Sequence, residues 1–304
     1  MDFAKTLFLI VLPATVLASL IEAWILSRNG PFDWRELGVS LINFVVRNAV
    51  LIALPLSIAT PVFQFAWEHR LTTIALQSWQ AFALLFLGEE LCYYWFHRAS
   101  HRIRWLWANH SVHHSPNELN LSASYRSAIF GKLAGEGVFF APLVWLGFPP
   151  HLVLMTVALN LVYQTWVHVT WIPKLGWLEY VLNTPSAHRV HHAANLDYLD
   201  ANYGGVLIVF DRLFGTYREE RDDLPCRYGL VHPQTSRNWL RVEFDQWRGL
   251  FIDLSRAHSI KAFLGFLLAP PGWRPDGPGE TTEELRRRAA MTRAPVRESE
   301  FVGD

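Results

Sequence analysis

Residues 84–101 read "LLFLGEELCYYWFHRASH". The stretch starts as an oily run and ends in two histidines four positions apart, His97 and His101. Residues four apart share one face of a helix, so both imidazoles point the same way. The apolar run behind them, 71–96, is long enough to cross hydrocarbon about 30 Å thick, which takes about 20 apolar residues. Fold and chemistry therefore meet at one place, where an apolar helix ends and a pair of imidazoles begins.

The same oiliness extends outward in both directions. Of the 304 residues 51% are hydrophobic and only 18% charged, about one large domain's worth of chain and too apolar for an ordinary soluble one. Residues 4–27, including "LFLIVLPATVLASLIEAWIL", are expected to be a retained anchor, because no small-residue cleavage site follows them and further spans do. Gly30 and Pro31 mark a turn, and a second run, 37–60, is apolar apart from Arg47. A fourth region, 133–167, is interrupted by "GFPP" at 147–150 and reads either as two crossings or as one crossing with an interfacial piece.

The expected fold is an all-α integral membrane protein with four or five transmembrane helices and a cytosolic, histidine-rich helical cap. Residues 1–269 are read as one membrane-embedded domain, with the clustered histidines falling within 85–220. Residues 250–269, with Arg256, His258 and Lys261, read as an interfacial amphipathic helix, and 270–304 as a mobile tail. Arginines beside the spans place the cap on the cytoplasmic side and the N-terminus outside, and the arginine-rich, compact chain suggests a bacterial inner membrane. Equal numbers of basic and acidic residues, 27 each, argue against nucleic acid as a partner. Cys92 and Cys226 are too few for a disulfide framework.

Three boxes carry the chemistry: "HRASH" (97–101), "HSVHH" (110–114) and "HRVHH" (188–192). They supply His97, His101, His110, His113, His114, His188, His191 and His192, with His168 in "VYQTWVHVTW" as a ninth candidate. One imidazole on a helix is ordinarily a polar side chain with a hydrogen-bond partner. Eight in clusters are different: protonated they repel, and neutral without partners they lose hydration. A bound cation removes both costs, since neutral imidazole ligates iron, zinc and copper. A zinc site takes about four protein ligands, so eight or nine rings suit two ions.

Imidazole alone does not choose between iron and zinc. The oily setting favours iron, because an unactivated C–H bond offers nothing to hydrolyse and its oxidation needs a redox metal with dioxygen. No dinucleotide-binding glycine motif and no haem-attachment motif is present, so electrons come from a separate protein or a pterin. A zinc-dependent membrane hydrolase is the alternative enzyme class, although no HExxH occurs. A metal transporter or storage protein without catalysis is the third reading; transport sites sit mid-membrane in broken helices, whereas these boxes follow the apolar runs.

Over roughly 85–220 the chain resembles the membrane-bound fatty acid hydroxylase and sterol desaturase superfamily. The segments that carry the resemblance are "EELCYYWFHRASH", "NHSVHHSPNELNLSASYR" and the stretch from "HVTWIPKLGW" through "HRVHHAANLDYLDANYGG" to "FDRLFGTY". "NLSASYR" and the later "PPGW" are most similar to its alkylglycerol monooxygenase-like and bacterial sterol-desaturase-like branch. The resemblance implies a nonheme di-iron centre held by the nine histidines, dioxygen as co-substrate, and hydroxylation or desaturation of a membrane lipid, sterol-like or alkyl/acyl. It also implies an external electron donor, a ferredoxin or cytochrome b5-like protein or a pterin, with tetrahydrobiopterin as a candidate. Glu90, seven residues before His97, would orient a ligand histidine or else be an ordinary solvated carboxylate. Asn195 would reach the metals directly or through water, and Asn117, Glu118 and Asn120 would line the pocket or cap a helix. The "NYGG" turn at 202–205 reads as a structural corner. Trp105, Trp107, Trp171 and Trp177 fit an interfacial aromatic belt or a tunnel floor.

Overall fold

The computed structural model describes residues 3–293, with side chains from 10 to 292. Among the described residues the chain is all-helical, with no strand and only two isolated bridges, Leu182–Leu207 and Ala193–Tyr228. Two helices open it, α1 (Phe3–Asn29) and α2 (Trp34–Ala53), the second begun by Asp33, whose carboxylate accepts from the Arg35 and Glu36 N–H groups at 3.0 Å. Both contain 20-residue segments long and apolar enough to cross a membrane, about 30 Å at 1.5 Å per residue. Their large apolar side chains point mostly outward: Leu17, Ile21, Trp24 and Val45 are all exposed. Water would penalise that arrangement and hydrocarbon would not.

Four or five crossings were expected; among the described residues these two helices satisfy length and composition. In the third run the helix, α4, covers Trp79–Arg102 and carries Glu89, Glu90, Arg98 and Arg102. Residues 71–78 are an irregular strap instead, held by hydrogen bonds from the Leu71 and Ile74 N–H groups to the Trp145 and Gly147 carbonyls. The fourth region is broken into α6 (Gly131–Ala134), a 3₁₀ turn at Glu136–Phe140, α7 (Ala141–Leu146) and α8 (Pro150–Trp166). Pro149 and Pro150 explain the last break, since proline cannot donate to a preceding turn. With α3 (Ala59–Glu68), these pieces enclose a core of Phe63, Leu85, Tyr93, Val144, Phe148 and Val153.

Ile103 is both the end of α4 and the start of α5 (Arg104–His114), and its extended backbone forms the whole junction. The two helices therefore fold onto one another with the first and second histidine boxes face to face. After α9 (Pro185–His191) and α10 (Val209–Leu213) the chain enters α11 (Trp239–Ser255), which packs Trp247 and Leu250 against Ala108 of α5. The predicted interfacial helix over 250–269 is two pieces, the end of α11 and α12 (Ile260–Leu268), separated at Arg256–Ser259. The stretch from Pro270, expected as a mobile tail, holds α13 (Thr282–Arg293), whose Arg286 donates to the Leu196 and Leu199 carbonyls at 3.1 and 2.7 Å. The remainder of that expectation, 294–304, lies outside the described residues.

The loop at 200–207 is where the fold becomes specific. Asp200 and Asn202 adopt positive φ angles, a region aspartate and asparagine tolerate better than most residues. The Asp211 carboxylate accepts the Tyr203 and Gly204 N–H groups at 2.8 and 2.7 Å, and the Asn202 amide ties Ala187 to Arg218. Gly205 faces Asn160 so closely that a β-carbon would lie 2.3 Å from its amide nitrogen. Gly205→Ala is thus expected to destabilise the protein by about 1–3 kcal/mol through overpacking. A lowered thermal unfolding midpoint in detergent would show it, and an unchanged midpoint would count against the close approach.

Candidate metal centre

The structure brings all nine candidate histidines together. His97 and His101 come from α4, His110, His113 and His114 from α5, His168 from just past α8, and His188, His191 and His192 from α9 and its end. Helix α9 starts where Thr184 caps it and Pro185 fills the first turn, a position where a missing N–H costs nothing. The rings fall into two groups, His97, His101, His110, His114 and His191, and His113, His168, His188 and His192. Within each group one nitrogen from every ring lies within 4.8 Å of all the others.

Ring-nitrogen geometry tests whether a cation fits. In the four-histidine group the His113 and His168 Nδ1 atoms face the carbonyls of Arg126 and Gln164 at 3.1 and 2.7 Å. A carbonyl accepts, so each Nδ1 carries the proton and each Nε2 presents a bare lone pair. Yet those two Nε2 atoms face one another at 3.3 Å, and His168 Nε2 is 2.9 Å from His188 Nε2. Metal–nitrogen bonds of about 2.0–2.1 Å put neighbouring ligands about 3.0–3.4 Å apart, so a shared cation matches this spacing. In the five-histidine group the His101 and His191 Nε2 atoms are buried with no hydrogen-bond partner, while His110 Nε2 lies 3.1 Å from both His97 and His114 Nε2. Burial pushes the His113 pKa down to about 4. Burial and then neighbouring-ring repulsion push His110, His114, His191 and His192 well below their ordinary value. At neutral pH these are neutral rings, the form that ligates a metal.

The rings are aimed mainly by backbone. His97 Nδ1 donates to the Tyr203 carbonyl at 2.8 Å and His191 Nδ1 to the Ala201 carbonyl at 2.9 Å. One carboxylate approaches the nine rings within 4 Å among the described residues: Asp200, 3.5 Å from His101 Nδ1 and also paired with Arg102 at 2.8 Å. Glu90, expected to accept a ring N–H, instead accepts from Asn160 at 2.7 Å and from the Val206 and Leu207 N–H groups at 2.9 and 2.7 Å. It fastens the loop that aims His97, one link further from the centre. A helical face shared with His97 could not reveal this, because the loop packs between them.

Asn195 is also displaced from its expected role. Its amide donates to the Pro225 carbonyl and accepts from the Arg227 N–H, clipping two loops together. Asn120 caps the 3₁₀ turn at Leu121–Tyr125, accepting from the Ser122 N–H at 3.0 Å; Asn117 donates to the Gln234 carbonyl, and Glu118 is exposed. These three lie outside the cavity at the centre. The residues missed by sequence reasoning are Asp200 and Asp211, whose positions depend on the fold of the loop around "NYGG", the corner that Asn202 ties together as expected.

A cavity of about 180 Å³ reaches both groups, lined by His101, His114, His191 and His192 together with Trp107 and Leu199. Pro270, Pro271 and Gly272 stand at its edge. Trp107 packs against His101 at 5.3 Å between ring centres. Trp171 and Trp177 are exposed, whereas Trp105 turns inward onto Trp247. His69, His151, His232 and His258, outside the boxes, belong to neither group, although His232 stands in the wall of the cavity.

Residues 82–216 match the fatty acid hydroxylase family model. Over most of its length it is similar to alkylglycerol monooxygenases. The human relative is 34% identical over 268 residues, 86% of this chain and 58% of the relative, and the Danio rerio relative 37% identical over 264 residues with the same coverage. An ornithine lipid hydroxylase of Rhizobium tropici is 30% identical over 128 residues, 42% of this chain and 39% of that protein. The chain therefore spans less than two thirds of the length of the vertebrate relatives. No solved structure matches it.

Proposed function

We propose that the protein is a dioxygen-dependent di-iron hydroxylase of membrane lipids. The observation that carries this reading is the pair of adjacent imidazole groups, five rings beside four, gathered within ligand distance of one another. His97, His101, His110, His114 and His191 would hold one iron, and His113, His168, His188 and His192 the other. When bound, the two irons would supply the activation of dioxygen that an unreactive C–H bond requires. The balance is one C–H bond, one dioxygen, two electrons and two protons giving an alcohol and water, so an external reductant is needed. A ferredoxin or cytochrome b5-like protein, or tetrahydrobiopterin, would supply it.

This chain's own residues do the positioning. The Tyr203 and Ala201 carbonyls fix His97 and His191, Asp200 steadies His101, and Arg126 and Gln164 carbonyls orient His113 and His168. Trp107 and Leu199 give the cavity apolar wall against which an alkyl chain lies with one carbon toward the rings. Similarity to alkylglycerol monooxygenases favours an ether-linked alkyl glycerolipid as substrate, with hydroxylation rather than desaturation as the outcome. Helices α4 and α7–α8 would complete the membrane-embedded part with four or five crossings, in a single domain over 1–269. The metal-bearing cap would face the cytoplasm of a bacterial inner membrane, on the side of Arg98, Arg102 and Arg104.

The test is metal analysis of chelator-free protein, followed by comparison of lipids from cells with and without it. About two irons per chain and a lipid population heavier by one oxygen are expected. Zinc as the bound metal, or an unchanged lipid profile under reducing, aerated conditions, would overturn the proposal.

A further inference from the structure

A second cavity, of about 190 Å³, lies on the other side of Asp200 and Tyr203 from the histidines. Four guanidinium groups line it, Arg98, Arg102, Arg218 and Arg286, against two carboxylates, Asp200 and Glu283. Arg102 is held between those carboxylates at 2.8 and 2.6 Å. Arg98, Arg218 and Arg286 meet no carboxylate within 4 Å among the described residues; their hydrogen bonds go to the Tyr94 hydroxyl and to the carbonyls of Tyr217, Leu196 and Leu199. Each guanidinium has five N–H donors, so most remain unspent. Three guanidiniums without a carboxylate partner, in a recess where arginines outnumber carboxylates by two, call for an anion.

The surroundings say where the anion comes from. On α4, Leu84, Leu87, Leu91 and Trp95 form one exposed apolar stripe at spacings of three and four. Arg98 is the next position on that stripe, its guanidinium 5.4 Å from the Trp95 ring centre. From the other side, Leu213 is 71% exposed and Phe214 stacks on Tyr94, and the chain runs directly from them into the cavity walls Gly215 and Thr216. A surface that is apolar, then aromatic, then cationic matches the passage from acyl chains to headgroups.

We infer that this recess binds the phosphate of an anionic lipid headgroup, seating the cap on the bilayer beside the metal centre. The site is separate from the chemistry and does not depend on the proposed reaction. Phosphate is the shared chemistry, and its source is the lipid; the guanidinium fork matches its oxygens.

The full chain in detergent is exposed to equal amounts of phosphatidylglycerol and phosphatidylcholine, and retained lipid is counted by native mass spectrometry. Wild type should retain phosphatidylglycerol preferentially. Arg98→Gln with Arg218→Gln should weaken that retention about fivefold for each arginine removed, whereas Arg241→Gln, an exposed arginine on α11, should change nothing. Arg218→Gln alone guards against misfolding, because among the described residues its side chain hydrogen-bonds only to the neighbouring Tyr217 carbonyl. Equal retention of the two lipids by wild type, or unchanged retention in Arg218→Gln, would overturn the inference. Displacement of the lipid by inorganic phosphate at matching concentration would overturn the lipid as the source and leave a soluble anion in its place.

Discussion

His168→Ala is expected to leave the protein with about one iron per chain instead of two and to reduce lipid hydroxylation more than about a hundredfold. Even groups that merely orient a metal ligand are worth about 10–100-fold, and a ligand itself exceeds that. His168 belongs to the smaller group, so its loss leaves three imidazoles, whereas loss of one ring from the larger group still leaves four. The ring stands alone after α8, buried, with Nδ1 on the Gln164 carbonyl and Nε2 facing His113 and His188. Removing it should therefore spare both candidate membrane spans. Iron content and turnover are measured on the same preparation, with helical content as a control. A full complement of two irons in a folded His168→Ala protein would remove this residue from the ligand set and with it the four-ring site.

Asp200→Asn should make one of the two ions, the one in the five-ring group, about 10–100-fold easier to withdraw. The substitution separates charge from shape. Asp200 sits at φ +55°, which asparagine tolerates as well as aspartate, so the loop keeps its course. What is lost is the anion beside His101 Nδ1 and the pairing to Arg102, which retains Glu283. A chelator challenge should become biphasic, with one fast and one slow ion per chain, while the unfolding midpoint moves little. A monophasic loss identical to wild type would reduce Asp200 to a surface-loop anchor.

The class of fold and the residues that cluster were legible in the sequence because each depends on local spacing. Apolar runs mark buried or lipid-facing helices, and histidines three and four apart fall on one face whatever surrounds them. The division into five and four was not legible. It depends on the single-residue junction at Ile103, which turns α5 back onto α4 and sends His113 to one group while His110 and His114 join the other. Glu90 stands out in the sequence and Asp200 does not for the same reason: helical periodicity relates residue 90 to residue 97, but nothing local relates residue 200 to residue 101. Mean apolarity does not show where runs 71–96 and 133–167 break; Ser78 and Pro149 mark those breaks.

Two of the five rings in the larger group lean on peptide oxygens supplied by residues 201 and 203. Every amino acid owns such an oxygen, so exchanging the side chain at either position cannot delete the support. Length is another matter: one residue added or removed between Tyr198 and Leu207 would carry both supports out of reach at once. That segment should tolerate changes of letter far better than changes of count, and families descended from this arrangement would record its importance as an invariant spacing.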